Sequence, residues 1–481
     1  MTAYTYTTSP PRKPSKPSKP GKPKHTKAWL IPAAAIPALT TALVPGGPGW
    51  QGALVLAVFT AAVGAWVLTS LDDTWIALAA VAVLAVAGVL APSDLFATLG
   101  ADLVWLLIAA FVLAAGLTGS GLVDRFVAMV PARARSVRGL AHLSTVALVV
   151  SSLVVPSTSG RAALAVPVFT ALAGALPRMA KALSVLFPTV VLLSAVSTLI
   201  GAGAHLVADQ LLREATGDGI GFLRWLLLGL PLAVVSCHLA AEVVLWLFTT
   251  RDDRRERFDL RTRFPPRGPW TRTERFAAVT TGVVLVLWCT EPWHGLPPAL
   301  VGLVGALAMC VPPHRVTTGT ALRTVPGSLL LFTAATAALG GALVASGAAA
   351  WLADVALGPA RNAPAWVVLV VVIVVSTAAH LAVQSRSARS SVLVPVVIPL
   401  AAATGLAPAA AVFASTAAAG FCHTLTSSAK PVALFSGIDG VPTYSSRDLL
   451  RLSRVLAPLH VVVVAVFALL VWPCLGLSLV P

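Results

Sequence analysis

Charge is what this chain of 481 residues lacks. Asp, Glu, Lys and Arg together make 11% of it, and only 18 residues are carboxylates. Soluble globular domains carry about 25% charged residues, so a water-facing surface of ordinary composition is excluded. Cysteine is sparse as well: the five, at 237, 289, 310, 422 and 474, stand singly in apolar stretches. Without a CxxC spacing they form no metal or disulfide framework and suit the role of small buried hydrophobes. The chain has no HExxH, no GxSxG between a strand and a helix, and few carboxylates inside its apolar segments. An enzyme acting within the membrane would need such a constellation. The expectation is a protein that does no chemistry on its substrate.

What is present is hydrophobic: 57% of the residues, gathered in stretches of membrane-spanning length. Runs of about 20 apolar residues make transmembrane helices, not barrel strands. The fold class is therefore an all-α integral membrane protein, read as eleven transmembrane helices plus two re-entrant hairpins in an inverted-topology repeat. The crossings are expected near 28–45, 51–70, 74–92, 102–119, 180–212, 221–248, 276–291, 297–313, 327–346, 407–437 and 449–475. The chain divides into a basic, disordered cytoplasmic tail (1–27), a first helix (28–50), and repeat 1 (51–248) with its hairpin at 140–176. A cytoplasmic linker (249–275) then leads to repeat 2 (276–481), whose hairpin spans 364–404. The tail is Pro-, Lys- and Ser-rich, too polar to bury a core, and no small-residue cleavage site follows the first apolar run.

A net charge of +16 suggests nucleic acid until its distribution is followed. With the N-terminus in the cytoplasm and the C-terminus outside, 27 of the 34 basic residues fall in cytoplasmic segments. That is the positive-inside pattern of a multi-pass protein of the cell membrane; the partner is a lipid bilayer, not nucleic acid. Reading either hairpin as a full crossing would invert the basic loops. Each hairpin arm is also roughly 15 residues long, short for a span of about 20. Four basic residues stay unexplained by topology: Arg161, Arg386, Arg389 and Lys430.

Those four stand in or beside a pattern that occurs twice. Pro156-Ser157-Thr158-Ser159-Gly160-Arg161 runs into an apolar stretch ending Val166-Pro167-Val168. Gln384-Ser385-Arg386-Ser387-Ala388-Arg389 runs into one ending Val394-Pro395-Val396. A shift of 228 positions superposes Ser157 on Ser385, Ser159 on Ser387, Arg161 on Arg389 and Pro167 on Pro395. After each hairpin comes a stretch rich in Gly, Ser and Thr inside an apolar helix. These are Ser197-Thr198-Leu199-Ile200-Gly201-Ala202-Gly203 and His423-Thr424-Leu425-Thr426-Ser427-Ser428-Ala429, the composition of a broken helix. Each repeat holds five crossings, an odd number, so the second copy is inserted upside down and the two hairpin tips meet near the midplane. Repeats of this kind build transporters with the binding site at their interface.

At each tip the chain turns and starts a helix, so free backbone N–H groups and the helix dipole make an anion site. Ser157, Thr158, Ser159, Ser385 and Ser387 are the expected donors to substrate oxygens. Arg161 and Arg389 are expected to hold the field positive, and Arg386 to act as a further ligand, since an arginine fork grips a carboxylate in bidentate fashion. The competing roles are helix capping for the serines, and a structural ion pair of the arginines with Asp209, Glu242 or Asp354. A cation/proton antiporter of related architecture would place carboxylates in the broken helices, where this chain has Ser, Thr, Gly and Lys.

At these residues, over roughly 50–481, the chain resembles the divalent-anion:sodium symporter family of dicarboxylate, citrate and sulfate permeases. The resemblance implies an eleven-crossing inverted repeat with two hairpins, a homodimer, and elevator-type alternating access. It implies secondary active transport of a small divalent or trivalent anion, a dicarboxylate first, with tips and helix breaks also coordinating sodium. Thr198, Gly201, Gly203, Thr424, Thr426, Ser427, Ser428 and Lys430 are the candidate residues of those breaks and of the coupling ion. The family's Ser-Asn-Thr tips lack their central asparagine here; Ala202-Gly203-Ala204-His205 replaces the Thr-Pro-Pro-Asn part of the first break, and Ser427-Ser428-Ala429-Lys430-Pro431 stands there in the second half. No cofactor is implied, and the coupling ion is Na+ or H+. Lys430, beside hydroxyls and free carbonyls, is expected to stand in for the second sodium, leaving proton-coupled or exchange transport. His205 and His423 are candidate proton carriers.

Overall fold

The computed structural model describes residues 36–480 apart from 37, 44, 130–132, 261–267, 313–315, 358–362, 427 and 439. The basic tail and most of the first expected crossing lie outside the described residues. Among the described residues there is no strand, only one isolated bridge between Ser136 and Arg257.

The apolar runs become helices in chain order. The first half supplies α1 (Gly49–Leu68), α2 (Asp73–Val86) and α3 (Asp102–Gly119), then the helical hairpin α4 (Val137–Ser151) and α5 (Thr158–Ala175). The broken pair α6 (Ala180–Leu193) and α7 (Gly203–Thr216) follows, then α8 (Phe222–Phe248). The second half supplies α9 (Arg272–Cys289), α10 (Pro298–Met309) and α11 (Gly327–Ala345), then the helical hairpin α12 (Ala365–Ala378) and α13 (Arg386–Ala403). The second broken pair, α14 (Pro408–Ala418) and α15 (Lys430–Phe435), leads to α16 (Ser446–Val466).

Among the described residues, six helical stretches are long and apolar enough to cross a membrane: Gly49–Leu68, Pro92–Gly119, Pro177–Ser197, Phe222–Phe248, Gly327–Ala345 and Ser446–Cys474. Other expected crossings are shorter than their apolar runs. The run at 74–92 stops at Val86 and that at 297–313 at Met309, and the crossing at 407–437 is split into α14 and α15. Turn residues end each one early. Gly88, with φ +73°, lies just past α2 in the left-handed region that a side chain resists.

Pro177–Ser197 stands apart, with 94% of its apolar window buried inside the protein, against 33–61% for the other five. A helix apolar on every side and enclosed by protein sits at the centre of the bundle. It stops where the chain must come closest to its neighbours. A Cβ on Gly201 would lie 2.1 Å from the carbonyl oxygen of Ala195, and one on Gly229 of α8 would lie 2.0 Å from that of Val196. Gly201 lets the break fold back on itself, Gly229 lets α8 press against it, and Trp225 Nε1 donates to the Val196 carbonyl at 3.0 Å.

The buried side chains form two apolar clusters. The larger joins α3–α10 and α12–α16. The smaller joins α1, α2 and α11, and takes in Val383 and Ala388 at the second hairpin tip. Near the expected cytoplasmic linker, Arg125 is pinned to Glu274 at 2.7 Å in a buried pair, and Glu274 closes a capping box with Thr271 at the start of α9.

Candidate functional site

Each tip is built on a serine that caps a helix. The Ser157 hydroxyl accepts from the Gly160 N–H at 3.1 Å, and that of Ser385 accepts from Ala388 N–H at 3.3 Å. Capping uses the hydroxyl oxygen and leaves its proton to be donated elsewhere, so capping and ligand binding are compatible on one side chain. Ser157, Thr158 and Ser159 of the first tip and Ser385, Arg386 and Ser387 of the second line a single cavity of about 1480 Å³. Gly203 from the first break and Ser428 and Lys430 from the second complete the same wall. A Cβ on Gly203 would lie 2.9 Å from Leu329 and 3.3 Å from the Ser387 hydroxyl, so glycine there is what lets tip two reach break one.

The arginines divide between the cavity wall and the protein behind it. Arg161 and Arg389 do not line the cavity; they are 1% and 0% exposed. Arg161 donates from Nη1 to Ser194 Oγ at 2.8 Å and from Nη2 to the Val191 carbonyl at 2.9 Å. Arg389 donates from Nη1 to the Phe421 carbonyl at 3.2 Å. Each lies four residues past its capping serine, one helical turn on, which turns the side chain away from the tip and onto the adjacent break. Helix breaks expose carbonyls that need donors, and both guanidinium groups serve them. Their place is behind the tips as fixed positive charge, not against a ligand.

Nor are they structural ion pairs. Among the described residues the ion pairs are Arg125–Glu274, Arg138–Glu242, His142–Glu242, Lys181–Asp448 and Arg213–Asp209, and none includes Arg161 or Arg389. Arg386 is the arginine on the cavity wall, and its Nε and Nη1 have no hydrogen-bond partner among the described residues. Buried polar groups of this kind call for a ligand.

The breaks divide in two. Thr198 and Gly201 are buried and do not reach the cavity. Thr198 Oγ1 donates to the Ser152 carbonyl at 3.3 Å, and the Ser152 and Ser197 hydroxyls meet at 2.6 Å. This is a cluster of oxygen donors between hairpin one and its break. In the second break the Ser428 hydroxyl accepts from Leu425 N–H at 3.1 Å and Thr424 meets His380 Nε2 at 2.7 Å. Thr424 and Thr426 stay off the cavity wall, and Ser427 lies outside the described residues. Lys430, the first residue of α15, is exposed on the cavity wall. His205 and His423 are buried, and His205 Nδ1 is held at 3.1 Å by the Thr198 carbonyl.

Further residues of the cavity lining escaped sequence reasoning. Asp72 and Asp73, Thr74, Ser328 and Gln384 all line the cavity. The signal was the acidic pair itself, which interrupts apolar runs on both sides. By pattern it reads as a solvated loop between crossings.

Residues 25–478 match the family model described as the sodium:sulfate symporter transmembrane region. A protein of Cupriavidus necator described as a membrane protein is 27% identical over 309 residues, covering 61% of this chain and 60% of that relative. The chain thus matches under two thirds of that relative's length. Among solved structures, the YdaH transporter of Alcanivorax borkumensis superposes with a TM-score of 0.52 at 18% identity, over 80% of this chain and 90% of that one. MtrF of Neisseria gonorrhoeae, described with a class of antimetabolite efflux pumps, gives 0.53 at 12% identity, over 93% and 99%. At such identities the likeness is one of fold. In the matched family sodium is a coupling ion rather than a resident cofactor. With a family model matched almost end to end, the chain belongs to the sodium:sulfate symporter family, the divalent-anion:sodium symporters.

Proposed function

We propose that this protein is a secondary active transporter of small divalent or trivalent anions, a dicarboxylate first, with citrate and sulfate as the remaining candidates. The observation that carries the proposal is the shared cavity wall, where hydroxyls of both tips stand with Arg386 and Lys430. Arg161 and Arg389 add charge from behind without a carboxylate to cancel it. Ligand cavities are commonly about 300–1,000 Å³. A space of about 1480 Å³ suits a two-ended anion with one carboxylate at each tip better than a single sulfate.

Sodium travels with the anion as a second substrate. The Ser152, Ser197 and Thr198 oxygens at the first break suit a hard cation, while Lys430 supplies a permanent cation at the second. The two halves are related as an inverted repeat, with hairpin one entering from the cytoplasm and hairpin two from outside. The N-terminus is cytoplasmic and the C-terminus external, as the placement of basic residues favours. The protein works as a homodimer, moving its hairpins and broken helices as an elevator against the remaining helices. Cation/proton antiport would lean on Asp72 and Asp73. Asp72, however, is occupied in capping α2, where it accepts from Thr74 and Trp75 N–H.

The test is a thermal-shift screen of the purified protein against succinate, citrate and sulfate, with and without sodium, followed by uptake into proteoliposomes. Stabilisation by a dianion and sodium-stimulated uptake are expected, because a ligand of the folded state raises stability by mass action. Sodium/proton exchange without anion flux overturns the proposal.

A further inference from the structure

We propose that the cavity is shaped for a dicarboxylate with an extended apolar body, a straight-chain α,ω-dicarboxylate longer than succinate. The inference rests on the anion site proposed above and narrows its substrate class. What carries it is an apolar strip on α3 that a compact anion would leave unused. Phe111, Ala114, Ala115 and Thr118 all line the cavity. Their spacing, i, i+3, i+4 and i+7, is that of one helix face, and at about 1.5 Å per residue the strip is about 10 Å long. The opposite face of α3 does the packing. A Cβ on Gly302 of α10 would lie 3.1 Å from Ala109, and one on Gly116 would lie 2.8 Å from Met309 of α10. The strip is therefore not spent on that neighbour. Phe111 and Ala115 are only half-buried, so apolar surface stays open to the cavity.

The same pairing of polar and apolar groups recurs at both tips. Beyond tip one, Leu164 stands one turn past Gly160 on α5, and both line the cavity. At tip two, a Cβ on Gly203 would meet Leu329 of α11 at 2.9 Å and the Ser387 hydroxyl at 3.3 Å. A leucine and a hydroxyl thus stand side by side on the wall. Leu164 and Leu329 are also half-buried.

A ligand must satisfy both kinds of surface. Arg386, with Nε and Nη1 unpartnered among the described residues, and Lys430 line the same cavity and call for negative charge. Sulfate would meet that charge and leave Phe111, Leu164 and Leu329 wet. A fatty acid would cover them but bring a single carboxylate to two tips. A chain with a carboxylate at each end does both. Full burial of one methylene is worth about 4-fold in affinity, and a volume of about 1480 Å³ leaves room for several.

The test is isothermal titration calorimetry in lipid nanodiscs at saturating sodium, with succinate, adipate, suberate and octanoate. Affinity should rise along the dicarboxylates, with suberate at least about 10-fold tighter than succinate and octanoate weaker than suberate. Phe111→Ala removes part of the strip, and Ala115→Leu fills the space beside it, which covers the case of an unstable alanine variant. In either folded variant the suberate-to-succinate ratio should fall to about 3-fold or less. Three results overturn this inference alone: succinate binding as tightly as suberate, octanoate matching suberate, or a native ratio kept in both variants. A native protein that binds none of the dicarboxylates overturns the proposed function, and this inference with it.

Discussion

Arg386→Gln separates a binding role from a structural one. Arg386 stands on the cavity wall with Nε and Nη1 unpartnered among the described residues. A guanidinium that meets a carboxylate in bidentate fashion makes two charge-assisted hydrogen bonds, each contributing about 1.5–3 kcal/mol. Losing the fork while keeping Lys430 nearby should therefore cost at least about 3 kcal/mol, or roughly 100-fold in affinity at about 1.4 kcal/mol per tenfold. The assay is thermal unfolding in detergent with succinate at 100 times the native Kd. Native protein should gain about 2.7 kcal/mol of stability by mass action, and the variant about 0.4 kcal/mol. Without succinate the two should unfold together, since Arg386 holds nothing in place that the structure records. Arg161→Gln supplies the contrast. Its bonds to Ser194 and Val191 stay within the protein, so its loss should lower the unliganded midpoint. Full stabilisation of Arg386→Gln by succinate would refute the assignment, and so would loss of binding in Arg161→Gln at an unchanged midpoint.

Three further predictions follow from the packing. Gly201→Ala and Gly229→Ala each drive a Cβ to within 2.1 Å or 2.0 Å of a backbone oxygen; overpacking of this sort costs about 1–3 kcal/mol or more, and reduced yield of monodisperse protein should report it. Gly203→Ala pushes only on the Leu329 and Ser387 side chains, so it should leave folding intact while weakening succinate binding several-fold, read by isothermal titration calorimetry. Arg125 holds the Glu274 carboxyl below its ordinary value of 4.5. A carboxyl depressed in the folded state contributes stability above its unfolded pKa and loses it as pH falls through the folded value, so the pair should weaken below pH 4.5, and Glu274→Gln should flatten the unfolding midpoint across that acid range.

Much of this was legible in the chain because membrane burial leaves strong marks. An apolar run of 20 residues at Gly49–Leu68 has one stable solution in lipid, a helix whose backbone bonds are all internal. Serines and glycines inside such runs, at 157, 385, 201 and 203, stand out because nothing in a plain span requires them. The serine motif repeats at an offset of 228 positions and marks two helix starts in the chain. Even the helix starts followed, since Ser157 and Ser385 cap as serines do.

What the sequence could not decide is which way a side chain turns once two segments meet. Arg161, Arg386 and Arg389 are alike in composition and neighbourhood, and only the packing of each hairpin on its break decided that Arg386 faces the cavity while the other two satisfy carbonyls behind it. Asp73 belongs to the same class. It lies 312 positions before Ser385 in the chain, and only the packed helices bring both to one cavity wall. Helix formation and membrane insertion are set by local composition, which a linear sequence displays directly. The partners of a buried charge are set by contacts between distant segments, and those exist only once the helices have packed.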